Sequence, residues 1–442
     1  MRIGPAFLQT FASQVVQSAA SIATAILIAR GLGPAGQGRY ALFAAVVGLV
    51  STLGAAGQFE GHVLTSAGER SKGRVLLARS VVQVVAAMMV VALGQALWRR
   101  WLSLEVEGAL ASLVMLVLVG EMLALLFRGI NLGQHSITAY NVATLVQRVV
   151  YFMLVAAIAA TGGLRIDAVL GAWLVAVAAN ATVSGIWIWK RSDAVLSWAT
   201  VREGWRGSMQ RGLRALLTIG LTLLLLRADV YMIGPMLGLE AVGQISVAYT
   251  FAEYLWYIPS ILASILFAAV AASRGPETVA KICRASRTTV ALLTPIGVGL
   301  AIVGSWVVPL IYGRAYVQAG TLFVLLLPGM LAVSLHLVID SYFAGSGFPR
   351  ISYLAAAGAV ALKVVLNLIL VPRMSLAGAA TATSVVYISL LLVKVIAFGR
   401  ETHVSFASMC RPTLTDVTNN LAVARSWVRR LRYALADAGS RR

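Results

Sequence analysis

Of the cations that lie inside long apolar runs, three stand out: Arg148, Arg227 and Lys363. A charge at mid-bilayer depth costs a few kcal/mol unless it faces protein or water, so each is a candidate for meeting an anion. At about 1.5 Å per residue, Lys363 lies roughly 18 Å into its run and Arg148 about 9 Å from the nearer end. Carboxylates accompany them. Asp229 is two residues from Arg227, about 200° around a helix, so the two cannot share a face. Glu253 belongs to a stripe of Ser246, Thr250, Glu253, Tyr257, Ser260 and Ser264, spaced for one continuous helical face lining a wet cavity. Asp340 follows His336 by four residues, the spacing of a proton relay or of a self-satisfied pair. Arg128 is seven residues from Glu121, which puts both on one face as a candidate pair. The expected substrate-binding set is Arg148, Arg227, Lys363, Tyr257 and Arg128. The expected coupling set is Asp229, Glu253, Asp340 and His336, which would take H+ or Na+. Two Cys, four His and the absence of His-Glu-x2-His, Cys-x2-Cys or Gly-x4-Gly-Lys-[Ser/Thr] leave no expected catalytic group, metal site or organic cofactor.

These residues need a frame, and the composition supplies one. Of 442 residues, 60% are hydrophobic and 12% are charged, half the charge of a typical soluble domain. Twelve windows of about 20 mostly apolar residues read as spanning helices: 6–29, 40–60, 76–98, 108–128, 142–162, 168–189, 213–236, 244–270, 288–311, 320–344, 351–371 and 377–398. The net charge of +20 is not a nucleic-acid footprint, because the charges sit between these windows. With the N-terminus on one side, that side receives 25 of the 36 Lys+Arg and the other receives 7, so both termini are expected in the cytoplasm. Outer loops are short, which argues against a membrane enzyme needing room for an acceptor. Two longer segments, 190–212 and 400–442, are expected to carry basic amphipathic helices on anionic lipid: one through Trp198, Val201, Trp205, Met209 and Leu213, the other through Leu421, Val428 and Leu435.

An internal repeat divides the windows into halves of six. Leu32-Gly33-x4-Gly38 and Leu237-Gly238-x4-Gly243 both follow a window. Further on, Gly133 corresponds to Gly347, Arg148-Val149-Val150 to Lys363-Val364-Val365, and Ala168 to Ala172 resembles Ser375 to Ala379. The expected organisation is a six-helix bundle over 1–189, an amphipathic linker over 190–212, a second six-helix bundle over 213–399 and a basic tail over 400–442. An even number of crossings gives the halves one orientation, with a substrate cavity expected between them.

The stretch Ile28-Ala29-Arg30-Gly31-Leu32-Gly33-Pro34-Ala35-Gly36-Gln37-Gly38-Arg39-Tyr40-Ala41 resembles a signature of bacterial oligosaccharide flippases in the multidrug/oligosaccharidyl-lipid/polysaccharide exporter superfamily. Arg227-Ala228-Asp229, Leu237-Gly238 and Ala241-Val242-Gly243 are similar to its seventh-span pattern, with Gln244-Ile245 in place of the usual Tyr. Gly378-Ala379-Ala380-Thr381-Ala382 matches its twelfth-span pattern. The resemblance implies an all-α, V-shaped pair of pseudo-symmetric six-helix bundles with a central cavity, in a bacterial inner membrane. It implies alternating-access transfer of undecaprenyl-pyrophosphate-linked repeat units to the periplasmic leaflet for lipopolysaccharide or exopolysaccharide synthesis. The implied partners are the lipid-linked oligosaccharide, membrane lipids, and a polysaccharide polymerase with its chain-length protein. An ion-coupled multidrug exporter, an antiporter of the same superfamily, is the alternative. It would want carboxylates and aromatics rather than cations at mid-depth.

Overall fold

A computed structural model of the chain describes residues 3–66, 72–101, 108–193, 197–202 and 205–411. Among the described residues the regular structure is all helix: α1 (Ile3–Gly54), α2 (Gln58–Thr65), α3 (Gly73–Trp101), α4 (Gly108–Gly133), α5 (Ile137–Ala160), α6 (Ile166–Lys190), α7 (Trp198–Arg202), α8 (Trp205–Leu237), α9 (Leu239–Glu253), α10 (Tyr257–Ala272), α11 (Pro276–Tyr312), α12 (Val317–Gly345), α13 (Arg350–Met374), α14 (Leu376–Thr402) and α15 (Phe406–Cys410). Among the described residues, eleven helical stretches are long and apolar enough to cross a bilayer. The first of them, in α1, contains two of the expected spans. Gly33, with φ 66 and ψ 178, breaks α1 between them, and Pro34 follows. Large apolar side chains face outward, Leu93 at 85% and Leu310 at 76% exposure, as lipid requires and water would penalise. The protein is an all-α, multi-pass membrane protein.

The repeated Leu-Gly-x4-Gly motif has a mechanical reason. Its first glycine, Gly33 or Gly238, takes positive φ (66 and 86) where one helical segment ends and the next begins. Its last glycine lets two backbones touch. A Cβ on Gly38 would fall 1.8 Å from the Leu239 carbonyl oxygen, and one on Gly243 would fall 1.8 Å from that of Pro34. The two copies of the motif therefore pack reciprocally against each other. Arg30 completes the junction by donating to the Leu310 and Ile311 carbonyls at 2.9 and 2.8 Å, which caps the C-terminus of α11. Gln244 donates to the Ala315 carbonyl and accepts from the Ala319 amide. The residue that departs from the family pattern thus pins the turn before α12.

Backbone landmarks correct the register of the repeat. The left-handed residues His135 and Phe348, both at φ 55, precede α5 and α13, and Gly162 (φ 70) and Ser375 (φ 53) follow them. Both pairs are 213 residues apart. On that register Lys363 corresponds to Val150, and its expected match, Arg148, corresponds to Ala361. A slip of two residues turns a helical position about 200°, so the two cations point from opposite faces of their helices.

One other expectation changes, and one is only partly described. In the 190–212 segment, α7 and the start of α8 are helical, and residues 203 and 204 between them lie outside the described residues. Arg79 holds α7 by donating to the Val201 and Thr200 carbonyls at 2.7 and 2.9 Å. The stripe from Ser246 to Ser264 is not one continuous face, because a 3₁₀ turn at Tyr254–Trp256 separates α9 from α10. Pro259 accounts for the break, since its ring crowds the carbonyl four residues back, at Leu255. The expected tail helix at 421–435 lies outside the described residues.

The described residues form two compact units. Unit 1 takes those up to Val247 with Val308–Ala319 and Val364–Ala379; unit 2 takes Ala248–Val307, Gly320–Lys363 and those from Ala380 on. In unit 1, α4, α5 and α6 pack on one another and on α1 around Val117, Leu118, Met122 and Leu126, and around Tyr151, Val155, Val169 and Ala176. In unit 2 a core of Leu335, Val338, Tyr342, Phe343 and Phe398 sits between α12 and α14.

Candidate functional site

Unit 1 encloses a cavity of about 280 Å³ among α1, α4, α5 and α6. Its walls carry Tyr40, Glu121, Gln147, Arg148, Tyr151 and Trp173. Gln147 and Arg148 are neighbours on α5, so only their 100° separation lets one turn into the packing and the other out of it. Gln147 is buried and Arg148 exposed. The buried side builds a chain of amides. Gln147 Nε2 donates to Glu121 Oε1 at 2.9 Å, Trp173 Nε1 donates to the same oxygen at 2.8 Å, and Asn180 Nδ2 donates to Gln147 Oε1 at 2.7 Å. Tyr151 donates its hydroxyl proton to the Tyr40 hydroxyl at 3.1 Å. The chain fixes Glu121 through one oxygen. Glu121 Oε2 accepts no hydrogen bond among the described residues, and Arg148 makes no hydrogen bond or ion pair among them. The cavity is thus lined by one carboxylate oxygen and one guanidinium, each open to a ligand.

Unit 2 treats its cation differently. Lys363 has no exposed surface. Its Nζ donates to Thr383 Oγ1 at 2.6 Å and to the Tyr249 hydroxyl at 3.5 Å, and it lies over the rings of Tyr249 and Tyr387 at 5.7 and 5.3 Å. Thr383 and Tyr387 are four apart on α14 and present one face. The expected cavity cation at 363 is a packed one in this conformation, satisfied by hydroxyls and rings remote in sequence.

The other expected residues divide in the same way. Asp229 is fully buried in unit 1 and accepts from Asn367 Nδ2 at 2.6 Å. Arg227, on the opposite side of α8, is half-buried and engaged with neighbouring groups, as are Glu253 and Tyr257. The Tyr257 ring stacks on Tyr254, 6.0 Å away. Arg128 does not pair with Glu121: its Nε donates to the Ala124 carbonyl one turn back, while Gln147 and Trp173 hold Glu121 through Oε1. His336 and Asp340 do not form a relay. Lys394, 2% exposed, takes Asp340 at 2.6 Å and also donates to Ser352, while His336 Nδ1 is buried without a partner among the described residues.

Sequence reasoning found Arg148 but missed Trp173, Tyr40 and Tyr151, which line the cavity around it, and Asn180, which holds Gln147 from behind. Asn180 carried a signal, an amide in the middle of an apolar run. The aromatics carried none, since rings at helical spacing are ordinary core residues. Lys394 is visible inside a span, but a partner 54 residues away is not.

The described residues make a polytopic, all-α membrane protein, and solved structures share its fold, among them the following three. An inward-facing multidrug resistance MATE family transporter of the MOP superfamily aligns with a TM-score of 0.67 at 15% identity, over 88% of this chain and 94% of its own. The lipid II flippase MurJ in an inward closed conformation aligns at 0.66 and 13%, over 89% and 87%. A MOP superfamily transporter from Pyrococcus furiosus aligns at 0.62 and 15%, over 91% and 94%. At these identities the likeness is one of fold. A comparison with curated protein sequences finds no match. The profile described as "Polysaccharide biosynthesis protein" matches residues 27–320, well over half the chain, and the chain belongs to that family.

Proposed function

We propose that the protein carries an anionic lipid-linked oligosaccharide, an undecaprenyl-pyrophosphate-linked repeat unit, from the cytoplasmic to the outer leaflet of a bacterial inner membrane by alternating access. The observation that carries this reading is Arg148, a cation with no hydrogen bond or ion pair among the described residues, lining a cavity in a member of a polysaccharide biosynthesis family. A pyrophosphate loses most of its hydration on entering a bilayer. A guanidinium in a cavity replaces that hydration with charge-assisted hydrogen bonds, in a setting where they are stronger than in water. Arg227 adds positive charge at another point of the path, and the buried Asp229 is the carboxylate assigned to coupling with H+ or Na+. The 25-to-7 bias of Lys+Arg supports cytoplasmic termini.

The test uses a strain lacking the protein. It should lose a surface polysaccharide and accumulate the lipid-linked precursor in the cytoplasmic leaflet, and re-expression of the wild type should restore export. Unchanged surface glycan and no precursor accumulation would overturn the reading.

A further inference from the structure

The cavity of unit 1 holds more chemistry than a pyrophosphate needs. An anion site would gather cations and exclude carboxylates, yet Glu121 lines the same space as Arg148. A cation site would do the reverse. One open acceptor, Glu121 Oε2, and one open set of donors, on Arg148, suit a neutral molecule carrying hydroxyls, each of which both donates and accepts. The remaining wall is aromatic. The Tyr40 and Trp173 rings lie 6.0 Å apart and tilted by 57°, and the Tyr151 and Trp173 rings lie 6.4 Å apart and tilted by 39°. Together they form a curved apolar surface with electron-rich faces. A pyranose ring has the matching anatomy: an apolar face of C–H bonds and a rim of hydroxyls.

Resting on the flippase reading above, the geometry points to this cavity as a monosaccharide subsite that takes one uncharged sugar ring of the repeat unit. The ring lies against Trp173, Tyr40 and Tyr151, with its hydroxyls on Glu121 Oε2 and Arg148. The volume suits one ring, since about 280 Å³ falls at the lower edge of ligand pockets, about 300 Å³, and the half-open mouth leaves the rest of a chain outside. Depth makes the contacts count. Glu121 is twelve residues from the end of α4 at Gly133, roughly 18 Å along the helix. A buried polar group left without its partner there costs more than the same group at the surface. The chain from Asn180 through Gln147 to Glu121 keeps the acceptor oriented before the sugar arrives, which makes Gln147 and Asn180 positioning residues. The subsite would therefore select the lipid by its sugar, while Arg148 also serves the charged head.

The experiment compares two probes on the full-length protein in lipid nanodiscs: undecaprenyl pyrophosphate, and the undecaprenyl-pyrophosphate-linked oligosaccharide extracted from the source cells. The wild type is expected to bind the glycosylated probe more than about tenfold more tightly. Glu121→Gln and Trp173→Leu are each expected to shrink that preference to within about threefold while binding undecaprenyl pyrophosphate as the wild type does. Arg148→Ala should weaken both probes. Should Glu121→Gln prove unstable, Tyr40→Leu, which removes one ring of the aromatic wall, replaces it and is expected to lose about half of the preference on a logarithmic scale. A wild type with no preference, or a tenfold preference surviving in Glu121→Gln or undiminished in Tyr40→Leu, overturns the subsite and leaves the flippase reading in place. A wild type that binds neither probe overturns the flippase reading itself.

Discussion

Arg148 in unit 1 and Lys363 in unit 2 are both cations inside spanning helices, and the protein handles them in opposite ways. Arg148 is exposed to a cavity with no hydrogen bond or ion pair among the described residues. Lys363 is sealed among Thr383, Tyr249 and Tyr387. The helices that carry them correspond, with left-handed residues at both ends 213 positions apart, but the cations themselves are 215 apart. Two extra residues turn Lys363 to the face where α5 carries Val150. A repeat transmits the backbone path, and the face on which a charge falls decides whether it meets a cavity or the packing.

The sharpest way to break this contrast is to unpair a cation in unit 2. Asp340→Ala would leave Lys394, 2% exposed, without its carboxylate, and breaking a buried pair costs about 3–5 kcal/mol. Thermal denaturation in detergent should show a large loss, and Asp340→Ala with Lys394→Met should recover most of it, because the buried charge is then gone. No recovery would mean that the pair is not what holds α12 to α14. Lys363 gives a smaller effect. Lys363→Ala removes a charge-assisted hydrogen bond and leaves a cavity, a loss of about 2–4 kcal/mol, whereas Lys363→Met keeps the volume and should stay within about 1 kcal/mol of the wild type. Arg148→Ala should leave the melting temperature unchanged and lower glycan export about tenfold, since it removes a ligand contact and no packing. Arg148→Lys keeps the charge without the fork and should restore part of the export. If Arg148→Ala melts early, the arginine is structural and the contrast collapses.

Much of the frame was legible because bilayer physics is coarse. Length and hydropathy located the spans, and Leu-Gly-x4-Gly marked two helix junctions. The join of the first two spans into one kinked helix was not legible, since only Gly33's φ decides it. The site was legible one residue at a time. Buried charge stands out in an apolar run, so Arg148, Asp229, Lys363 and Asp340 were all singled out. Partnership did not, because it joins α4 to α5 and α6, or α12 to α14, across dozens of residues. In the spacings that invited local pairs, Glu121 with Arg128 and His336 with Asp340, the carboxylates are held by remote groups instead. An i,i+4 or i,i+7 coincidence is common on any helix, and a second helix competes for the same side chain.

Unit 1 also contains a buried base that follows neither pattern, and it sets the smallest expected effect. His62, on α2 outside the spanning helices, is 1% exposed. Its Nδ1 lies 3.5 Å from the Leu126 carbonyl oxygen, and its Nε2 has no partner among the described residues. Burial, opposed by that carbonyl and helped by the charge on Arg79, pushes the imidazole down to about 4. Lys363 has hydroxyls to meet its charge; His62 has no such company and is neutral. In the unfolded chain a histidine titrates near about 6.5. Between pH 6.5 and 4 the unfolded state therefore binds one more proton than the folded state, and stability falls as pH falls, by about 1.4 kcal/mol per unit, levelling off below about 4. At neutral pH the group contributes no such term. His62→Gln should leave the melting temperature at about pH 7.5 little changed and should make its decline between about pH 6.5 and 5.5 shallower than that of the wild type. Parallel declines in the two proteins would mean that His62 accepts a proton in the folded state, and that its surroundings in unit 1 are as accommodating to charge as those of Lys363 in unit 2.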